Sequence, residues 1–291
     1  MREKDLSTPD LHSDSPRVDV VIPVFNGERT IERAIRSVLD QGYPNLWVIC
    51  VDDASNDQTA AVVESIISER LTLIRSTHNS GQSVARNRAI QQSDSRYLAF
   101  LDADDEALPG RILAQVEFLE THPRISVVGT QYIPTSSQIK SNFPLRHWEI
   151  CSHLPFGNCI AMPTVMIRRE DVIDAVGRPV FQELDQLGIE DYDLWLRLQK
   201  AGLRFANLTV AGILYDDNIS PEAERLRASE SAALRSQHFS WVNARCRLGE
   251  HRSAPTIRPL LRWLQSWSKF VLVRVILKFR LSRTSRFRSE P

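Results

Sequence analysis

Residues 18–42, VDVVIPVFNGERTIERAIRSVLDQG, decide the fold. The first seven, residues 18–24, are rich in β-branched side chains and almost continuously apolar, the pattern of a strand covered on both faces. Asn26-Gly27 supplies a turn and a cap, after which Ile31, Ala34, Ile35, Val38 and Leu39 recur at helical spacing until Gly42 and Pro44 stop the pattern. A strand, a turn and a helix therefore follow one another at the start of the chain.

The same alternation runs on. Residues 46–51 predict a strand, 57–70 a helix, 71–75 a short strand, 83–92 a helix and 97–101 another strand. Strands alternating with helices predict an α/β fold with a mostly parallel central sheet flanked by helices. In such sheets ligands bind beyond the carboxyl ends of the strands. Acidic residues stand at those positions: Asp52 and Asp53 after one strand, Asp102, Asp104 and Asp105 after another. Further on, 111–122 reads as a helix and 125–131 as a strand, and then the alternation breaks. Residues 133–163 read as irregular structure and short elements punctuated by Pro134, Pro144, Pro155 and Pro163, followed by a strand at 165–167. Residues 192–201 form a helix with Leu194, Trp195 and Leu198 on one side, ended by Gly202. After a strand at 212–215, Ser220-Pro221-Glu222 gives an N-cap, a first-turn proline and an acid for a long helix running toward Gly249.

Composition bounds the class. At 291 residues, 42% hydrophobic and 25% charged, the chain suits one large or two small globular domains. Residues 1–17 are polar and hold no apolar stretch that would serve as a signal peptide, so a disordered segment and a cytoplasmic protein are expected. Cys50, Cys151, Cys159 and Cys246 lie far apart, with no C-x-x-C pair and no histidine at metal-ligand spacing, which fits reduced thiols and argues against zinc or redox roles. The net charge of zero hides an asymmetry. Residues 252–291 carry ten Lys or Arg against one acid, Glu290, a charge of +9, which leaves −9 on the first 251 residues. Within this tail, residues 259–281 mix Trp263, Trp267 and Phe270 with five cations, and no apolar run approaches the length of roughly 20 residues needed to cross a bilayer. Such a helix suits peripheral binding at the anionic inner face of the membrane, or packing on the domain or a partner chain. No nucleic-acid fold accompanies the charge, so nucleic acid is not an expected partner.

Carboxylates gathered at strand ends repel one another unless a cation neutralises them, and an oxygen-rich set suits Mg²⁺ or Mn²⁺. Asp is also a common turn and cap residue, which explains each cluster taken singly equally well. Their order along the chain is more specific. The segments VVIPVFNGERTIERAIRSVLDQ, VICVDDASNDQT, NSGQSVARNRAI, YLAFLDADD and IEDYDLWLRLQKAG, spread over residues 18–214, resemble the family 2 glycosyltransferases of the GT-A fold.

That resemblance implies a division of labour. Residues 18–130 would form the nucleotide-sugar donor half, 131–219 the acceptor and catalytic half, and 220–291 a C-terminal helical basic extension. Pro23 and Phe25 would hold the nucleoside, and Asp53 would contact base or ribose. Gly81 and Arg86 would close the donor site. Asp102-Ala103-Asp104 matches the family's D-x-D motif, with Asp102 near the ribose and Asp104 on the Mn²⁺ or Mg²⁺ that bridges the phosphates. Asp191 matches the catalytic base, with Glu190 beside it. The implied activity is an inverting, single-displacement transfer of sugar from a nucleoside-diphosphate sugar, with UDP-sugar favoured, to a glycan or lipid-linked acceptor in cell-surface polysaccharide or glycolipid synthesis. A carboxylate that takes the proton of an attacking hydroxyl and a metal that stabilises the departing diphosphate are what such chemistry requires.

Several residues stay open between roles. Glu190 and Asp191 would also serve as first-turn acids of the following helix. Asn158 and Met162-Pro163-Thr164 lie where relatives meet the acceptor, but packing explains them nearly as well, and Trp195 suits either an acceptor floor or the core. The chain also departs from the family. Relatives often follow the strand at 212–215 with an Arg and a His that reach the donor phosphates, whereas here the segment reads Tyr215-Asp216-Asp217-Asn218-Ile219-Ser220. A sugar-nucleotide-binding protein without catalysis is therefore the alternative. A nucleotidylyltransferase is disfavoured, because the loop Pro23-Val24-Phe25-Asn26-Gly27 lacks that class's Gly-rich, Arg-containing sequence.

Overall fold

A computed structural model describes residues 15–183 and 189–218, together with Arg225, Ser231, Ala232 and Leu234. Apart from those four residues, the expected extension at 220–291, with its basic tail, and most of the segment 1–17 lie outside the described residues. One eight-stranded sheet runs through the described chain in the order β3-β2-β1-β4-β7-β6-β8-β5. These strands are β1 (Val18–Val24), β2 (Leu46–Asp52), β3 (Leu71–Arg75), β4 (Tyr97–Phe100), β5 (Glu106–Ala107), β6 (Val127–Pro134), β7 (Met166–Arg168) and β8 (Phe205–Tyr215). β3, β2, β1 and β4 are mutually parallel, β7 enters antiparallel between β4 and β6, and β6 and β8 are again parallel. The sheet is thus mixed, with its parallel half built from the alternation legible at the start of the sequence.

The sheet is covered on both faces because its strands are apolar on both. Val18, Val20, Ile22 and Val24 of β1 join one core cluster, with Ile31, Ala34, Ile35 and Val38 of α1 (Ile31–Leu39) and Ile112, Val116 and Leu119 of α4 (Arg111–Thr121). Val21 of β1, with Ile49 and Val51 of β2, joins the opposite cluster, against α3 (Gln82–Gln92) and α7 (Glu190–Ala201). Period-two alternation within each strand divides the residues between the two cores. The one acid inside β1, Asp19, is fully buried and satisfied by Arg17 Nε at 2.8 Å and Ser93 Oγ at 2.6 Å. Trp195 is also fully buried, its indole N–H donating to the Ile160 carbonyl at 3.0 Å, so this residue belongs to the core and not to an acceptor floor.

The structure departs from the sequence reading in three places. The helix expected at 57–70 is α2 (Thr59–Ser65): Asp57 stays outside it, and Ile66 turns extended and ends it. α6 (Arg169–Val176) occupies a segment to which no helix was assigned, while α5 (His147–His153) is one of the short elements expected within 133–163. β8 begins seven residues earlier than the expected strand at 212–215. Between β6 and β8 the backbones approach closely around an irregularity at Gly129 and Gln131. A Cβ at Gly212 would lie 2.2 Å from Thr130 Oγ1, which is fully buried. Gly212→Ala is therefore expected to cost about 1–3 kcal/mol, the usual effect of overpacking. Denaturant titration measures it, and an unchanged midpoint would show that β8 yields without cost.

Candidate active site

Two loops form a cradle at the carboxyl ends of β1 and β2. Asn26 takes a left-handed conformation (φ 53°) that lets its backbone N–H donate to Ser55 Oγ at 2.9 Å while its side-chain oxygen accepts from the Asn56 N–H at 2.8 Å. Glu28 and Asp57 close a second reciprocal pair: the Glu28 N–H donates to Asp57 Oδ2 at 3.2 Å, and the Gln58 N–H to Glu28 Oε2 at 3.0 Å. Pro23 is buried in β1, and Phe25, next in line after the strand, is 45% exposed. An exposed ring at a fixed strand end is a surface on which a planar base can stack.

Asp53, buried after β2, fixes the neighbouring loop. Its Oδ2 accepts the N–H groups of Ser80 at 2.9 Å and Gly81 at 2.7 Å. Gly81 precedes α3 at φ 86°, a conformation that favours glycine. Asp53 Oδ1 accepts no hydrogen bond among the described residues, and the nearest cation is Arg88 at 3.8 Å. A buried acceptor without a donor is costly, and a ligand N–H placed there would satisfy it.

The turn after β4 carries the acids. Asp105 is buried, and its Oδ1 accepts the Asp216 N–H at 2.9 Å while its Oδ2 takes no hydrogen bond. Burial first, and Asp102 second, push the Asp105 carboxyl well above the carboxylate range. Asp104 is raised by burial, by Asp102 and by Asp216, and is partly offset by Arg33, which donates to the Asp104 carbonyl at 2.8 Å. Burial is the first cause of both shifts, and the neighbouring carboxylates add to it while Arg33 and Arg111 oppose it, a crowding that a divalent cation would relieve. Among the described residues no three His, Cys, Asp or Glu side chains gather as a metal cage. The raised Asp104 carboxyl beside Asp102 would suit an ion that takes one or two carboxylates from the protein and the rest of its shell from water and phosphate oxygens, the usual habit of Mg²⁺.

The segment after β8 adds acid where the resemblance implied an Arg and a His. Asp216 Oδ1 accepts from the N–H and side chain of Asn218 at 3.0 and 2.8 Å, and Asp217 accepts from Thr135 Oγ1 at 3.1 Å, from the Ser136 N–H at 3.0 Å and from the Ser136 hydroxyl. Described through Asn218, this loop presents no basic side chain.

Glu190 and Asp191 open α7. Asp191 remains partly exposed, accepting from Asn158 Nδ2 at 2.7 Å and from the Tyr192 N–H at 2.6 Å. Burial, then the adjacent Glu190, push its carboxyl up to about 7, against the opposing pull of Asn158 and Arg86. Glu190 is buried and accepts from Arg86 Nη1 at 2.6 Å, while Arg86 Nη2 donates to Asp102 Oδ1 and to Gln82 Oε1, both at 3.0 Å. The Arg86 guanidinium also lies over the Phe181 ring at 5.6 Å. A chain of ion pairs, Asp102–Arg86–Glu190, buried at Arg86 and Glu190 and half-buried at Asp102, thus connects the acidic turn to the start of α7.

The structure gathers the expected residues in two places. Pro23, Phe25, Asp53 and Gly81 stand at the cradle and its adjoining loop, while Asp102, Arg86, Glu190 and Asp191 stand along the connection. The sequence reading did not assign Asn158 as the partner of Asp191, nor Arg33 at the acidic turn, and no local motif marks either. Met162, Pro163 and Thr164 are all buried in a 3-10 turn, with Thr164 Oγ1 donating to the Ala161 carbonyl at 2.7 Å, so these residues pack. Cys50, Cys151 and Cys159 are free thiols, and Cys246 lies outside the described residues.

The chain is similar to known proteins in sequence and in fold. The family model for glycosyl transferase family 2 matches residues 19–162. The Escherichia coli UDP-Glc:alpha-D-GlcNAc-diphosphoundecaprenol beta-1,3-glucosyltransferase WfaP is 31% identical over 199 residues, covering 68% of this chain and 76% of that protein. Among solved structures, S. aureus TarS 1–349 in complex with UDP-GlcNAc superposes with a TM-score of 0.59 at 21% identity, covering 72% of this chain and 60% of that one. The mannosyltransferase PcManGT from Pyrobaculum calidifontis, in complex with GDP-Man and Mn²⁺, gives a TM-score of 0.60 at 21% identity, covering 90% of this chain and 72% of that one. The last two comparisons establish the GT-A fold.

Proposed function

Because the chain belongs to glycosyl transferase family 2, we propose that this glycosyltransferase moves a sugar from a UDP-sugar to a hydroxyl of a glycan or lipid-linked acceptor, by one displacement that inverts the anomeric carbon. The observation that carries this reading is Asp191, a partly exposed carboxylate pushed up to about 7 and tied through Glu190 and Arg86 to the acidic turn. WfaP, by its name, uses UDP-Glc and a diphosphoundecaprenol-linked acceptor, and the TarS structure holds UDP-GlcNAc, which favours uridine and a lipid-linked acceptor here.

In this reading Phe25 supports the base, Pro23 shapes the loop, and Asp53 offers to base or ribose the oxygen that accepts no hydrogen bond among the described residues. Gly81 closes the donor side, and Asp102 faces the ribose. Asp104 would hold Mn²⁺ or Mg²⁺, which when bound supplies Lewis acidity toward the leaving diphosphate. Asp191 takes the proton from the acceptor hydroxyl as its oxygen bonds to the anomeric carbon. The bond from that carbon to the diphosphate oxygen breaks, and its electron pair leaves with the nucleoside diphosphate. A base with a pKa near the working pH is well matched to this transfer. Residues 18–130 form the donor half and 131–219 the acceptor half, and the basic extension at 220–291 brings the enzyme to an anionic inner-membrane surface and a lipid-linked acceptor. Among the described residues no helix is long and apolar enough to cross a membrane.

A melting-temperature panel with UDP, GDP, dTDP and CDP, each with and without Mn²⁺, followed by transfer from the matching UDP-sugars to a polyprenyl-diphosphate-linked hexosamine, tests the reading. Stabilisation by UDP with metal, together with sugar transfer, is expected. Nucleotide binding without transfer to any acceptor would favour a binding protein, and an absence of both would overturn the assignment.

A further inference from the structure

We propose that Arg86 is a positioning residue that acts through Glu190 to keep Asp191 ionised as the base, and that it does not hold the donor phosphates. The inference rests on the reading of Asp191 as the base.

The geometry leaves Arg86 little freedom for another task. The residue is 1% exposed, and both of its Nη atoms are engaged, one by Glu190 at 2.6 Å and the other by Asp102 and Gln82 at 3.0 Å. Its Nε is buried without a hydrogen-bond partner, so the fork is held by its two carboxylates, by Gln82 Oε1 and by the Phe181 ring, and not by a full set of acceptors. Reaching a phosphate would require breaking a buried charge pair, which leaves Glu190 uncompensated and costs several kcal/mol.

The same pair answers a problem at the start of α7. Glu190 and Asp191 are consecutive carboxylates at a partly buried site, and two such charges side by side drive one of them to take a proton. Among the described residues, the groups that act on Asp191 are Glu190 on its own helix, Arg86 from α3, Asn158 from the segment after α5, and the Tyr192 N–H. Only Arg86 brings positive charge. Clamped on Glu190, it offsets that carboxylate and lets Asp191 ionise near neutral pH. Its second arm, on Asp102, ties the same cation to the donor side, so the base is set only when the acidic turn and α7 are correctly apposed.

The test is the pH dependence of kcat/KM in the wild type, Arg86→Gln, Glu190→Gln and the double variant, with donor affinity followed by thermal shift. In Arg86→Gln the acidic limb is expected to move to higher pH by about 1–3 units, the usual influence of a nearby opposite charge, with donor affinity retained. Glu190→Gln, which keeps the cation and removes the repulsion, is expected to move the limb the other way, and the double variant to return it toward the wild-type position. A limb that stays fixed while donor affinity falls at least tenfold in Arg86→Gln would overturn the proposal and place Arg86 on the phosphates. If Arg86→Gln does not fold, the direction of the Glu190→Gln shift decides: an unmoved or raised limb refutes the coupling. Retention of transfer by Asp191→Asn would instead refute the base assignment itself, a different result from a fixed limb in an enzyme that Asp191→Asn inactivates.

Discussion

Replacement of Asp191 by Asn is expected to lower kcat by about 10²–10⁴-fold, the range that general-base catalysis contributes, while nucleotide binding persists. Asn preserves the shape of the side chain and an acceptor for one of the two present donors, Asn158 Nδ2 and the Tyr192 N–H, but cannot take a proton. The same variant should reveal the cost of keeping this carboxylate. Its folded-state pKa, about 7, lies above the ordinary unfolded value of about 3.9. The folded state therefore binds the proton more tightly than the unfolded state, so this group favours folding while protonated, and its contribution is lost as pH rises from about 4 through about 7. Melting temperatures of the wild type should fall relative to Asp191→Asn across that window and then run parallel. An unchanged rate would remove Asp191 from the chemistry, and parallel melting curves throughout would show that the carboxyl is not raised.

A second large effect is expected at Asp104. For the wild type, nucleoside diphosphate with Mn²⁺ at about 100 times its dissociation constant should add about 2.7 kcal/mol of stability. Asp104→Ala should abolish the metal-dependent part of that gain. Without ligand the sign reverses, because burial, Asp102 and Asp216 all disfavour the Asp104 charge. The variant should then melt at or above the wild-type temperature in buffer and below it with nucleotide and metal. A variant that loses stability equally in both conditions would point to a damaged fold, and one that keeps the full metal-dependent gain would move the ion elsewhere.

What the sequence revealed and concealed follows from the range of the interactions. β1 and its turn were legible because a doubly buried strand is apolar on both faces and Asn26-Gly27 marks its end. The placement of Asp53 and Asp102 after strands was legible for the same reason. The task of Asp53 in bonding Ser80 and Gly81 was not, since those partners stand 27 and 28 residues away. Arg86 shows the limit clearly. Its segment pointed to the donor site, but its burial against Glu190, 104 residues on, depends on how α3 and α7 pack. β8 read as too short because Asn207 interrupts its apolar pattern, and that side chain is served by the carbonyls of Pro144 and Cys159, which no local pattern reveals. Asn158 likewise became meaningful only when the chain brought it to Asp191.

The acidic border formed by Asp216 and Asp217 bears on how a turnover ends. Under the proposed chemistry, the spent nucleotide keeps a double negative charge or more, and the described loop 215–218 has no side chain to attract it. If Asp104 holds a cation as proposed, retention at this border would rest on that ion, and the Asp216 and Asp217 carboxylates would repel the nucleotide once it left. Unloading would then follow the lability of the ion rather than the opening of a basic clamp in 215–218.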